Sequence, residues 1–153
     1  MSDYSDFDDR RIKHMEMIQA VITRLASNSF LIKGWALTLT GAFLGRAVNK
    51  NSSGLAATAL FPVTVFWALD TYFLRAERLF RVLFERVRTA SGVEPFFMGA
   101  TSEAFVATAP PDAVSWWSTC RRLTLAGFYL LLTIATFLVL DRNLLWLRRG
   151  TLS

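Results

Sequence analysis

Apolar and polar positions along this chain form two kinds of pattern. From Arg10 onward, Ile12, Met15, Ile18, Ile22 and Leu25 recur at steps of three or four. Met17 and Val21 widen that face, and Arg11, His14, Glu16 and Arg24 fall mostly elsewhere. This spacing predicts an amphipathic helix. Three later stretches are continuously apolar: Phe30 to Val48, Leu55 to Leu74 and Leu123 to Leu140. Each is long enough to cross a hydrocarbon core of about 30 Å, and its few charged groups lie near its ends.

The second stretch does not stop where the membrane would. LAATALFPVTVFWALDTYFL runs on into RAERLFRVLFERVR, where five arginines sit among apolar residues. One helix over residues 55–88 would reach about 50 Å, so its second half is expected to project as a basic rod. On that rod, Leu69, Phe73, Ala76, Phe80, Leu83, Phe84 and Val87 make an apolar stripe. Glu77 with Arg81, and Glu85 with Arg88, have the spacing of helical ion pairs. The amphipathic helix has two possible resting places, the membrane surface or the rod. The rod is preferred, because four aspartates between Ser2 and Asp9 dilute the attraction to anionic lipid.

The expected fold is an all-α integral membrane protein with three transmembrane helices. The N-terminal amphipathic helix precedes them, and the long basic helix extends the second span. The boundaries read as 1–29 for an acidic, mobile tail plus amphipathic helix and 30–74 for a transmembrane hairpin closed by Asn49 to Gly54. They continue as 75–122 for the basic helix and an aromatic loop, and 123–153 for the third span with its basic tail. Ser27 to Ser29 punctuate the first junction. Pro62 is expected to kink the second span by freeing the Thr58 carbonyl. After Arg88, Gly and Pro mark a loop whose Phe96, Phe97, Met98, Phe105 and Val106 are expected to cover the rod or dip into the interface. Pro110, Pro111 and Asp112 suggest a new helix with Asp112 as its cap.

Composition agrees with a membrane protein: 53% of the 153 residues are hydrophobic, and the mean hydropathy is +0.35. The net charge of +5 matters through its placement. Eleven basic residues fall on the face carrying the N-terminus and the 75–122 segment. Five fall on the other: Arg46, Lys50, Arg142, Arg148 and Arg149. That asymmetry predicts a cytoplasmic N-terminus in a cell membrane. With Cys120 the only cysteine and His14 the only histidine, no internal disulfide or His/Cys metal site is expected. No catalytic constellation or phosphate-cradling glycine loop is recognisable, so neither enzyme activity nor a cofactor is expected.

Candidate functional positions fall in three groups. Lys33 and Asp70 lie at similar depth in the antiparallel hairpin, where unpaired charge costs at least a few kcal/mol. They read as a structural pair, with Lys33 snorkelling or Asp70 at a pore mouth as alternatives. Pro62 and Thr38 join them as candidate gate positions. Gly41 and Gly45 form a GxxxG, continued by Gly34, Thr38 and Ala42. Such a ridge lets helices approach closely, either within the chain or between subunits. The third group is basic: Arg78, Arg81, Arg86 and Arg88, backed by Arg10, Arg11 and Lys13, as a phosphate-binding face repeated around an oligomer axis.

Two segments carry a resemblance, HMEMIQAVITRLASNSFLIKGW (His14 to Trp35) and FWALDTYFLRAERLFRVLFERVR (Phe66 to Arg88). They resemble small bacterial membrane proteins encoded beside nucleotidyltransferases, in particular the membrane effectors of the Hailong anti-phage defence system. The layout is also similar to the SLATT effector superfamily. The resemblance implies a homotetrameric pore of the bacterial inner membrane that depolarises the cell in abortive infection. It implies a single-stranded DNA oligomer, made by the nucleotidyltransferase, as the ligand that holds the pore shut. The same residues also fit a non-conducting membrane anchor that recruits a cytoplasmic partner.

Overall fold

The computed structural model describes the backbone of residues 2–89 and 94–150, and side chains from Asp9 to Thr89 and Glu94 to Trp146. It is all-helical, with no strand among the described residues. The helices are α1 (Ser2–Asn49), α2 (Ser53–Thr58), α3 (Leu60–Arg88), α4 (Glu103–Thr108), α5 (Pro111–Val114), α6 (Trp116–Cys120) and α7 (Leu123–Gly150). The chain divides into two compact units, one of Met1–Ser29 with Tyr72–Thr119 and the other of Phe30–Thr71 with Cys120–Ser153.

In the first unit, Ile18 and Ile22 of α1 are buried with Leu79, Leu83 and Val87 of α3, and with Ala100 and Phe105 of the following segment. The amphipathic helix therefore packs on the rod, as preferred. Its inward face differs from the expected one. His14 is buried while Ile12 and Met17 are half exposed, so the face runs His14, Ile18, Ile22, at steps of four. On α3, Leu79 is fully buried and Leu69 is exposed, which rotates the expected stripe. Phe97, Met98 and Val106 pack against this core, so the aromatic loop covers the rod. Within it, Ser102 caps α4 through the Phe105 amide. Asp112 is no cap: it sits in the first turn of α5, and Pro110 occupies the cap position without a side-chain bond. Pro110 already supplies the extended entry, and Pro111 at the first helical position has no amide to leave unpaired.

The second unit holds the apolar helices. Two candidate spans satisfy length and hydropathy, Ser53–Arg88 and Leu123–Trp146. Phe30 to Val48 falls short because Lys33, Arg46, three glycines and two threonines lower its hydropathy. It also has no boundary at Ser27 to Ser29, since α1 runs through without interruption. The expected single helix over 55–88 breaks elsewhere: α2 ends at Thr58, Ala59 closes a tight turn by bonding Ala56 O, and α3 starts at Leu60. Pro62 thus lies in the first turn of α3 rather than at a kink. A missing N–H costs nothing there, because the first four amides of a helix have no intrahelical acceptor. Beyond that break α3 is continuous to Arg88, and α7 extends past the expected end at Leu140.

Candidate functional site

Three helices of the second unit converge on one ionic node. Lys33 Nζ of α1 lies 2.5 Å from Asp70 Oδ2 of α3, and the Asp70 side chain has no solvent exposure. Tyr129 of α7 donates its hydroxyl to the Phe66 carbonyl at 3.1 Å, close to the Asp70 carboxylate. The carboxylate is thus neutralised by a cation and flanked by a phenol, the combination that makes buried charge tolerable. Beside it, Cys120 Sγ approaches Thr71 Oγ1 at 3.6 Å. Of the four candidate gate positions, the fold brings only Lys33 and Asp70 together. Thr38 faces outward and bonds its own helix at Gly34 O, and Pro62 is buried at the start of α3.

The small-residue ridge also faces outward. Nothing lies within 4 Å of a Cβ built at Gly34, Gly41 or Gly45. The packing of α1 within its own unit uses the opposite face, Ala36, Thr40 and Ala47, each fully buried. Intramolecular packing of the GxxxG is thereby set aside, and the ridge is open to another surface.

Three of the seven basic positions, Arg78, Arg86 and Arg11, carry the fold of the first unit, as does Arg75. Arg78 Nη1 donates to Asp112 O, Ser118 Oγ and Thr119 Oγ1, at 3.1, 3.0 and 2.9 Å. Arg75 donates to Val114 O at 2.8 Å and stacks on Trp116, 4.8 Å from the ring centre. Arg11 donates to Val87 O at 3.1 Å and also to Arg88 O. It thereby supplies positive charge and donors to the C-terminal carbonyls of α3, where helices lack partners. Arg88 pairs with Glu85 and Arg81 with Glu77, both as expected. Arg86 donates to Thr108 and lies 4.5 Å over the Phe105 ring. Arg10 and Lys13 are exposed on α1.

Two of the seven do share a concavity. A groove of about 490 Å³ is lined by Arg81, Val82, Glu85, Arg86, Thr89, Thr108 and Pro110. Arg81 and Arg86 bring positive charge to it beside the Glu85 carboxylate, the Thr89 and Thr108 hydroxyls donate to Glu85 O and Phe105 O, and Val82 and Pro110 offer apolar surface. Phe80 and Phe84, considered as stacking platforms for bases, instead pack against the hydrophobic core. Phe96 is half exposed in a left-handed backbone conformation, with its ring 5.9 Å from that of His14.

Sequence reasoning missed four functional-looking groups. Tyr129 completes the ionic node, Thr40 and Asn143 are polar yet fully buried, and His14 bonds the Phe97 carbonyl at 2.9 Å. For the first three a signal existed: polar residues recurring on one face of an otherwise apolar helix. Compared with known families, curated proteins and solved structures, the chain matches none.

Proposed function

We propose that this protein is a homo-oligomeric, pore-forming membrane effector whose basic unit binds a nucleotide-derived polyanion. The observation that carries the reading is the outward GxxxG ridge on α1. A protomer whose smallest helix face has no neighbour of its own is built to meet another helix closely. Phe30 to Val48 is then a span as well, the first in chain order, sheltered by subunits and less dependent on lipid, which suits its lower hydropathy. The asymmetry of basic residues supports a cytoplasmic N-terminus in the bacterial inner membrane.

The ligand role contracts from seven residues to the groove around Arg81 and Arg86, with Arg88, Arg10 and Lys13 as long-range attraction. Arg78 and Arg11 are positioning residues that hold the basic unit together. The resemblance to Hailong effectors favours a single-stranded DNA oligomer from a nucleotidyltransferase, a tetramer, and abortive infection as the outcome. Purification in mild detergent tests this directly. The expected result is a multimer, near four protomers by mass, that retains an oligonucleotide releasable by nuclease. A monomer free of nucleic acid would remove both the ridge and the groove from the account. The non-conducting anchor remains the competing reading, favoured only by the strength with which the arginines are engaged in the fold.

A further inference from the structure

Buried polar side chains of the second unit repeat along α1 and α7 in step. Lys33 and Tyr129 meet at Asp70. Fourteen residues further along both helices, Asn143 Nδ2 donates to Ala47 O at 3.2 Å and to Ser52 O at 3.3 Å. The two helices therefore run parallel in matched register, and the midpoints Thr40 and Thr136 share one depth. Both threonines and Asn143 are fully buried. The tiers are seven residues apart, about 10 Å per step and about 21 Å in all, most of the thickness of a hydrocarbon core.

Two atoms of this seam, Thr40 Oγ1 and Asn143 Oδ1, are buried without a hydrogen-bond partner. An orphaned polar atom in an apolar interior costs about 1–3 kcal/mol, and internal water is its usual partner. Both ends of the seam reach the surface. The Lys33 side chain is 21% exposed, and Ser52 in the turn after α1 is half-buried.

We propose that this seam binds internal water and is a proton path within each protomer, with Lys33 as its plug. The proposal rests on the pore reading above, and assigns its conducted species and route. About three waters at 2.8 Å spacing bridge each step between tiers. Each takes a proton on one side and releases one on the other, so charge crosses without net chemistry. Ala36 and Leu132, both buried between the first two tiers, offer no polar group to a hydrated metal cation. The ammonium of Lys33, paired with Asp70, fills the first tier and interrupts the water file there. Asp70 holds that ammonium in place.

Full-length protein in liposomes with an internal pH dye, under a valinomycin-imposed potassium potential, tests this. Lys33→Met should raise proton influx about tenfold or more, a barrier reduction of about 1.4 kcal/mol. Adding Thr40→Val, which removes one hydroxyl at constant shape, should return influx towards the wild-type level, and Thr40→Ser should not. Proton influx in Lys33→Met that ignores Thr40→Val would overturn the seam. A potassium flux that answers to oligonucleotide and ignores Thr40→Val would also overturn it, leaving the pore reading intact. Water-edited solid-state NMR of the wild type is independent of any flux. Transfer from water to the Thr40 and Asn143 side chains supports the seam, and dry side chains overturn it.

Discussion

Lys33 and Asp70 are joined across two helices by an ion pair whose carboxylate is wholly buried, and Tyr129 closes the third side. Removing one partner of such a pair leaves a bare charge in a low-dielectric interior, at a cost of about 3–5 kcal/mol. Asp70→Asn and Lys33→Met should therefore each destabilise the protein strongly in detergent, while the double variant recovers much of the loss. A double-mutant cycle by thermal unfolding checks this. Additive single effects would show that the two side chains do not depend on each other.

The ridge on α1 leads to an opposite kind of expectation. Because nothing lies near a Cβ at Gly41 or Gly45, Gly41→Leu with Gly45→Leu should leave the protomer folded. The same change should drive subunits apart, lowering the detergent mass by the full multiplicity. Loss of helical signal with no change in mass would place the ridge inside the protomer.

The arginines of α3 should separate by role. Arg78→Ala strips three hydrogen bonds from the segment following Pro111, each charge-assisted bond contributing about 1.5–3 kcal/mol when its acceptors stay buried. A loss of stability at the upper end of that range is expected, with oligonucleotide affinity preserved in the folded fraction. Arg81→Ala, whose guanidinium is 63% exposed although its partner Glu77 is only 13% exposed, should cost about 1 kcal/mol or less. Arg81→Glu with Arg86→Glu should abolish binding of a single-stranded oligonucleotide at physiological salt. Equal stability losses for Arg78→Ala and Arg81→Ala, or unchanged affinity in the charge-reversed variant, would contradict the division.

In the first unit, Leu79→Ala should cost about 2–5 kcal/mol, as for other buried leucines. Ile12→Ala, on the exposed side of α1, should fall within about 0.5 kcal/mol of the parent. Chemical denaturation of the detergent-solubilised protein compares them, and similar losses would mean that α1 packs through another face.

Much of this architecture was legible from spacing. The period of Ile18 and Ile22, the opposed charges of Glu77 with Arg81, and the matched depth of Lys33 and Asp70 follow from helical geometry and the cost of membrane charge. Three features escaped for physical reasons. Pro62 was read as a kink because sequence does not show where a helix begins, and the break at Ala59 places it in a harmless first turn. His14 was placed outward because polarity was taken as exposure, whereas the Phe97 carbonyl satisfies it inside. Arg78 and Arg11 have the same sequence signature as the groove arginines, because arginines look alike in sequence. The acceptors of Arg78 and Arg11 are carbonyls and hydroxyls 34 to 77 residues away, which no local pattern reveals.

Ion flux from liposomes containing the purified protein, with and without a bound oligonucleotide, tests the central claim most directly. The account predicts a closed vesicle while the oligonucleotide is bound and rapid dissipation of the membrane potential once nuclease removes it. A potential that persists in both states would contradict a pore and leave a membrane anchor.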